Sequence, residues 1–128
     1  MIVLDANVLI ALLDPSDTHH AAADNLIRRH AGSPLLVSPV TLAEFLVGPL
    51  RTGADGAERA RTAIDRLQVQ QVPLDPDTPL ALARLRVDSR LPMPDCCVLQ
   101  AARQVNGAVA SFDARVRRAA EELGIALA

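Results

Sequence analysis

Short runs of apolar residues, separated by longer segments of helical character, restrict the fold of this sequence more than any other feature. Ile2–Leu4, Leu35–Val37 and residues 108–111 each have the length of a short strand, and the first two are uniformly apolar. Such runs predict strands that are buried on both faces of a parallel sheet. Because helical segments separate them, we expect an α/β fold, a three-layer α/β/α sandwich with a mainly parallel central sheet.

The intervening segments carry helix start and stop signals. Asp17 is a suitable N-cap, Ser38-Pro39 and Thr78-Pro79 are good helix openings, and Gly32 and Asn106-Gly107 are typical helix stops. Predicted helices cover residues 8–13, 17–30, 39 to about 48, 58–67, 78–88, 95–104 and 114–123. The third of these is expected either to end around Gly48-Pro49 or to bend there before Gly53. Further extended segments are predicted at 68–74 and 125–127, and the prolines at 92 and 94 are expected to enforce a stop.

Length and composition indicate one domain over residues 1–128. Half of the residues are hydrophobic but only two are Phe, with no Trp or Tyr, so the core must be aliphatic. Cys96 and Cys97 are adjacent, which is too close for an ordinary disulfide and lacks the spacing of a zinc or redox site. We therefore expect buried thiols, a reducing cytoplasmic location and no membrane anchor.

All 13 basic residues of the chain are Arg, and none is Lys. A Walker A phosphate-binding loop requires a lysine and is excluded. Haloacid-dehalogenase-like phosphatases and response-regulator receivers also present an Asp after their first strand, but each relies on a lysine that is missing here. The net charge of −2 does not by itself favour a nucleic acid, although Arg103, Arg115, Arg117 and Arg118 gather in the C-terminal part of the chain.

Acidic residues recur where a parallel sheet of this kind places its ligands. Asp5 directly follows the first predicted strand and Asp113 follows a later one, and ligands gather outside the carboxyl ends of such strands. Asp95 opens a predicted helix, and Glu44 lies on the helix after the second strand. Converging carboxylates without histidine or thiolate are the ligand set that Mg²⁺ or Mn²⁺ prefers. Such a site activates water for attack on a phosphodiester.

Each acid also has an ordinary structural interpretation. An Asp after a strand is often a turn former or a helix cap; we expect Asp95 to cap its helix, and Asp113 could do the same. Glu44 and Asp5 have apolar neighbours in sequence, where an unpaired charge would be costly. His19, His20 and His30 are expected to be solvated or capping residues, because no Cys or acid pairs with them at zinc spacing.

Four segments together resemble the PIN-domain nucleases. They are Asp5-Ala6-Asn7-Val8-Leu9 after an apolar strand, Thr41-Leu42-Ala43-Glu44-Phe45 on a helix, Pro94-Asp95-Cys96, and Ser111-Phe112-Asp113. Each segment alone is a weak signal, but their order and predicted structural positions agree with the family over essentially the whole chain. In length and single-domain plan the sequence is similar to the VapC toxins of bacterial toxin–antitoxin pairs.

The resemblance implies an endoribonuclease that uses Mg²⁺ or Mn²⁺ and leaves a 5′-phosphate and a 3′-hydroxyl. It implies an acidic quartet with Asn7 and Ser111 in support and Arg115 as a candidate substrate-binding residue; the quartet is Asp5, Glu44, Asp95 and Asp113. It also implies a homodimer and a cognate antitoxin whose C-terminal segment blocks the site. Many relatives carry a further acid shortly after the position of Asp113, whereas Arg115, Val116 and Arg117 follow here, so one or two metal ions remain possible.

A second function remains open at this stage. A catalytically weak PIN-like protein would act as a binding module and, in complex with an antitoxin, help to occupy operator DNA. Leu12, Leu13, Leu46, Val47 and Leu50 are expected to lie mainly in the core, with a partner-binding groove as the alternative for some of them.

Overall fold

Alternating strands and helices build the chain, which we describe from a computed structural model that covers residues 1–128. The strands are β1 (Ile2–Leu4), β2 (Leu35–Val37), β3 (Gln70–Gln71) and β4 (Ala108–Ala110). The helices are α1 (Ala6–Leu13), α2 (His20–Arg29), α3 (Pro39–Arg51), α4 (Ala54–Arg66), α5 (Thr78–Ser89), α6 (Met93–Val105) and α7 (Ala114–Glu122).

All four strands are parallel, in the order β3-β2-β1-β4. β1 lies at the centre, with Val3 opposite Leu36 of β2 on one side and Val109 of β4 on the other. Beyond β4, Leu127 forms an isolated parallel bridge to Val109. The predicted parallel α/β sheet is confirmed. Because β1 and β4 are parallel neighbours, their carboxyl ends lie side by side.

Residues of β1, β2 and β4 alternate between two aliphatic cores, one on each face of the sheet. Val3, Leu36 and Val109 point into a core shared with α5, α6 and α7. Ile2 and Val37 point into a second core, shared with helices α1 to α4, and Phe45 is its only fully buried aromatic side chain. Burial of β1, β2 and most of β4 explains why the sequence shows apolar runs rather than alternation there, whereas both residues of β3 are exposed.

Several helix boundaries differ from the predicted ones. α1 begins at Ala6 rather than at residue 8, and α4 begins at Ala54 rather than at residue 58. α3 continues through Gly48 and Pro49 to Arg51, since a proline in the last turn costs the helix only one hydrogen bond. α6 begins at Met93, because Pro94 falls in its first turn, where proline is tolerated. α2 begins at His20 rather than just after Asp17. Pro92 and Pro94, which were expected to stop a helix, therefore lie at the start of α6.

The predicted extended segments at 68–74 and 125–127 are mostly irregular. Only two residues of the first form β3, and the second is reduced to the bridge of Leu127. Both lie at sheet edges, where a single neighbouring strand limits pairing. Cys96 and Cys97 are free and buried, as predicted. No helix combines the length and the hydropathy that crossing a membrane requires.

Candidate active site at the carboxyl end of the sheet

The parallel pairing of β1 with β4 positions the first part of the site. Leu4 lies opposite Ala110, and the Asp5 amide donates a hydrogen bond of 2.9 Å to the Ala110 carbonyl oxygen. Asp5 and Ser111 are therefore neighbours at the carboxyl ends of adjacent strands, although 106 residues separate them in sequence. This is the edge of a parallel sheet at which ligands are usually bound.

Asp5 is buried, with 7% of its surface exposed, and both carboxylate oxygens accept hydrogen bonds. Oδ1 accepts from the Ala6 amide at 2.7 Å, so Asp5 is also the N-cap of α1. Oδ2 accepts from the Ser111 hydroxyl at 2.6 Å and from the Asn7 amide group at 3.3 Å. A carboxylate has about four lone-pair directions, so these bonds fix its orientation and leave room for one further ligand.

Asn7 and Ser111 connect Asp5 to the segment after β4. The Phe112 amide donates to Asn7 Oδ1 at 3.1 Å, and the Asp113 amide donates to the Ser111 hydroxyl at 3.1 Å. The side-chain nitrogen of Asn7 also lies 3.4 Å from the Ser111 hydroxyl. These bonds hold residues 111–113 against the start of α1, where the resemblance expected Asn7 and Ser111 to support an acid.

Burial is the main reason why the pKa of Asp5 is raised above 3.8. Its hydrogen bonds with Ser111, Ala6 and Asn7 oppose that rise, while the negative charge of Asp113 adds to it. Desolvation of the charged form thus outweighs hydrogen bonds that would normally stabilise a carboxylate. A nearby positive charge would therefore stabilise the ionised form of Asp5.

Glu44 lies in the second turn of α3. The apolar surroundings that its neighbours in sequence predicted for its charge are wrong. The residue is exposed, because Leu42 and Phe45 leave the helix on other sides. Partial burial nevertheless raises the pKa of its carboxyl above 4.5, and the charges of Asp5 and Asp95 raise it further. Glu44 therefore faces the other acids from the neighbouring helix.

Asp95 lies in the first turn of α6 but does not cap it, since α6 begins two residues earlier, after Pro92. Its side chain forms no hydrogen bond within the chain, which leaves it free to bind something else. Burial raises the pKa of Asp95 above 3.8, and the charges of Asp5 and Asp113 add to this, while Arg115 opposes it. The expected capping role is wrong for Asp95, although it holds for Asp5 and Asp113.

Asp113 is the N-cap of α7, and its Oδ1 accepts from the Arg115 amide at 2.8 Å. The Arg115 guanidinium lies 3.8 Å from Asp113 Oδ2, with 68% of the Arg115 side chain exposed. A contact of this length and exposure is weak, so Arg115 stays available to other anions. Arg117, which sequence reasoning did not single out, donates to the Ser111 carbonyl oxygen at 3.1 Å and braces the same segment.

The four acids form one electrostatic group, which we call the acidic cluster: Asp5, Glu44, Asp95 and Asp113. Each of the first three has a raised pKa to which at least one other member contributes. No three His, Cys, Asp or Glu side chains of the chain lie at the spacing of a metal-binding set. The two observations agree physically, because repulsion between charges extends well beyond the length of a coordinate bond.

The donor chemistry of the acidic cluster fits a hard divalent cation. The cluster offers only carboxylate oxygens, no histidine is among its members, and burial raises the pKa of both neighbouring thiols, Cys96 and Cys97. Mg²⁺ and Mn²⁺ prefer such oxygen ligands and keep several waters, so carboxylates need not close tightly around them. A cation would also relieve the mutual repulsion that raises these pKa values.

An aromatic pair borders the acidic cluster. The rings of His19 and Phe112 stack with centroids 4.7 Å apart and planes inclined by 17°. Phe112 stands between Ser111 and Asp113 in sequence, whereas His19 precedes α2 and has 57% of its side chain exposed. Nothing in the sequence signals this contact, since it joins residues far apart in the chain.

An apolar groove of about 560 Å³ begins beside Glu44 and runs between α1, α3 and α4. Ile10, Leu13, Phe45 and Pro49 supply much of its apolar lining, and Arg59 adds a positive charge. Next to it, Val47 and Leu50 of α3 are exposed rather than in the core as we expected. A larger concavity of about 660 Å³ lies around His30 and the first residues of β2 and β3, at the opposite end of the sheet from the acids.

Comparison with known proteins decides the family. The PIN domain family model matches residues 2–122, which is nearly the whole chain. This chain belongs to the PIN domain family. The sequence-based assignment to that family and its fold is thereby confirmed, and the acids described above lie in a PIN domain. No curated protein matches the sequence.

Solved structures of similar fold come from several bacteria. VapBC2 from Rickettsia felis, bound to a DNA fragment of its promoter, has a TM-score of 0.72 at 14% identity, covering 100% of this chain and 98% of that one. FitAcB from Neisseria gonorrhoeae has a TM-score of 0.69 at 21% identity, covering 99% and 96%. VapC20 from Mycobacterium tuberculosis, described as a sarcin-ricin loop cleaving toxin, has a TM-score of 0.69 at 21% identity, covering 93% and 95%. At these identities the similarity establishes the fold.

Proposed function

We propose that this PIN domain is a metal-dependent endoribonuclease and the toxin of a toxin–antitoxin pair. The observation that carries the proposal is the acidic cluster, in which burial and the negative charges of other members raise the pKa values of Asp5, Glu44 and Asp95. An arrangement that is unfavourable for the bare protein is typical of a site that binds a cation. The similar fold of the RNA-cleaving toxin VapC20 agrees with this choice.

The roles that we propose for the acids follow from their surroundings. Asp5 and Asp95 would bind Mg²⁺ or Mn²⁺, Asp5 as the rigid ligand and Asp95 as the one without competing hydrogen bonds. Asp113 would complete the set of metal ligands. Arg115, whose guanidinium lies 3.8 Å from Asp113 Oδ2, would bind a phosphate of the RNA. When bound, such an ion supplies a water of lowered pKa and offsets the negative charge of the phosphodiester.

Glu44 differs from the other acids because it is exposed and has a raised pKa. A carboxylate that is less acidic than usual is a better proton acceptor near neutral pH. We therefore propose that Glu44 accepts a proton from the attacking water and also contacts the ion. Asn7 and Ser111 would act only through Asp5, by holding its carboxylate in place.

The apolar groove beside Glu44 is the surface that we assign to an antitoxin. Its lining is mostly apolar and includes Glu44, so a segment bound in it would also cover that member of the acidic cluster. Arg59 offers a partner for an acidic residue of that segment. The homodimer expected from the resemblance is part of the same proposal, and light scattering of the purified protein tests it.

The cleavage test uses purified, inhibitor-free protein and total bacterial RNA. With Mg²⁺ or Mn²⁺ the protein should cleave RNA and leave 5′-phosphate ends, and a chelator should stop the reaction. Asp5→Asn and Asp95→Asn should each lower the rate by about 100-fold or more, because each substitution removes a ligand. Asp88→Asn, at an exposed position of α5, is the matched control and should keep full activity.

Two results would contradict the proposal. Full activity of the Asp5→Asn and Asp95→Asn variants, with unchanged circular dichroism, would show that the acidic cluster is not the active site. A folded protein that cleaves no RNA but binds promoter DNA together with a partner would favour the second function, a binding module. That alternative rests on the fold similarity to VapBC2, which was solved with promoter DNA.

A further inference from the structure

The stacked pair of His19 and Phe112 is an exposed aromatic surface in a chain with almost no aromatic residues. Of the two Phe residues, Phe45 is buried in the core, and the chain has no Tyr or Trp. Phe112 is only partly buried and His19 is exposed. With one imidazole face against Phe112 and 57% of the side chain exposed, the outer face of His19 is open to solvent.

Several contacts hold the pair in place. The Phe112 amide donates to Asn7 Oδ1 at 3.1 Å, which joins the backbone of Phe112 to the residue that also supports Asp5. On the other side, the His19 amide donates to Asp17 Oδ1 at 2.8 Å, and His19 Nδ1 lies 3.4 Å from the Thr18 hydroxyl. The backbones of both residues are thus held by hydrogen bonds, and His19 Nδ1 also lies 3.8 Å from Asp17 Oδ1.

The position of the pair relates it to the acidic cluster. Phe112 lies directly between Ser111, which binds Asp5, and Asp113, which is itself a member of the cluster. A strand whose phosphate lay at the acids would carry its adjacent base within reach of this surface. Proteins that bind single-stranded RNA stack unpaired bases on Phe, Tyr, Trp or His side chains.

We propose that His19, backed by Phe112, stacks on an unpaired nucleobase next to the phosphate that is cleaved. This inference rests on the proposed ribonuclease function and adds to it a residue that positions the substrate. The pair offers a flat π surface, and its described hydrogen bonds are made by backbone amides and Thr18 rather than by groups aimed at a base edge. Stacking of this kind tolerates any base and requires that the base be unpaired.

Binding is measured apart from cleavage, with a short single-stranded RNA that carries 2-aminopurine, whose fluorescence falls when it stacks. The chain carries Asp5→Asn so that the RNA stays intact. His19→Ala in this background should weaken RNA binding by about 5-fold to 100-fold and reduce the quenching, since one stacked base is lost. His19→Tyr should restore both, because a phenol ring replaces the lost π surface.

His30→Ala is the matched control, since His30 lies at the other end of α2 beside the concavity far from the acids. It should leave binding and quenching unchanged. In the chain with Asp5 intact, His19→Ala should raise KM for the RNA much more than it lowers kcat, as expected for a residue that positions substrate. A loss confined to kcat would overturn the stacking role.

The possible outcomes separate this inference from the proposed function. Cleavage by the original chain together with unchanged RNA binding by His19→Ala would overturn the stacking role and leave the nuclease intact. Quenching that His19→Ala abolishes and His19→Tyr restores would support stacking even if no RNA were cleaved, whereas the nuclease proposal would then fail. An effect of His19→Ala on inhibitor binding alone would assign the pair to the partner protein and overturn the inference.

Discussion

Asp5 has a structural role in the fold and is also a proposed metal ligand. Its carboxylate caps α1 and ties the first strand to Ser111, yet its burial raises the cost of the negative charge. Burial also raises the cost of the negative charge on Asp95, and no hydrogen bond within the chain offsets that cost. At the scale of single residues, the acidic cluster therefore carries an electrostatic cost of the kind that is common at functional sites.

Asp95→Asn should stabilise the cation-free protein at neutral pH. Because the pKa of Asp95 is raised above 3.8 in the fold, chiefly by burial and then by Asp5 and Asp113, ionisation opposes folding once the pH exceeds 3.8. The free energy of unfolding of the original chain should fall as pH rises through the folded pKa, and the variant should escape that loss. The dipole of helix α6 favours a negative charge in its first turn and so acts against this effect.

Thermal unfolding in the presence of a chelator measures the effect. The Tm of Asp95→Asn should exceed that of the original chain by a few degrees at pH 7, and the two should converge near pH 3.8. Asp88→Asn, at an exposed site, should stay within about 0.5 kcal/mol of the original chain at both pH values. A lower Tm for Asp95→Asn at pH 7 would mean that the charge stabilises the fold.

At the scale of elements, the junction of α3 and α4 decides the shape of the apolar groove. Gly56 in the first turn of α4 is buried against the end of α3. A Cβ added there would lie 2.5 Å from the Pro49 carbonyl oxygen and even closer to the Thr52 hydroxyl. The hydroxyl is itself bonded to that carbonyl at 2.7 Å, so neither atom moves away easily.

Gly56→Ala should therefore lower the free energy of unfolding by about 1–3 kcal/mol, despite the better helix propensity of alanine, which is worth about 1 kcal/mol. Denaturant unfolding followed by circular dichroism measures it. Gly48→Ala is the matched control, because Gly48 is in α3 and its added Cβ would meet nothing within 4 Å. It should be neutral or stabilising, and an equal loss in both variants would contradict the packing argument.

The same elements show what the sequence predicts and what it does not. Apolar runs predicted β1, β2 and β4, and Asp5 and Asp113 were chosen as candidate site residues from their positions after β1 and β4. The exposure of Glu44 was missed because neighbours in sequence leave a helix in different directions. The start of α6 was missed because proline both stops and begins helices. The aromatic pair was missed because it depends on a contact between distant residues.

At the scale of the whole molecule, cation binding and folding are coupled if the acidic cluster is the metal site. A cation that binds only the folded chain stabilises it by about 2.7 kcal/mol at a concentration of 100 times Kd. Mg²⁺ or Mn²⁺ should therefore raise the Tm near neutral pH. Protons compete with the cation for the same carboxylate oxygens. Because the pKa values of Asp5, Glu44 and Asp95 are raised, this competition begins at a higher pH than it would at ordinary carboxylates.

Differential scanning fluorimetry across pH tests this coupling. The Tm increase from Mn²⁺ should be large at pH 7.5, shrink as the pH falls towards 5 and be smaller at every pH in Asp5→Asn. Calcium, which takes more ligands at longer distances, provides a second cation for comparison. An increase that is independent of pH and of Asp5 would place the ion elsewhere on the molecule.

The bond between Ser111 and Asp5 spans 106 residues and has a consequence for the protein during its synthesis. A chain still on the ribosome carries Asp5, Glu44 and Asp95 before residues 108–113 exist. Helices α1, α3 and α6 can already pack together, but Asp5 then lacks its bond to Ser111 and the cluster lacks Asp113. Shorter products of aborted translation or proteolysis would lack β4 and with it any activity of the cluster. A nuclease built on this topology would be harmless to the machinery that makes it until nearly all of the domain has emerged and folded.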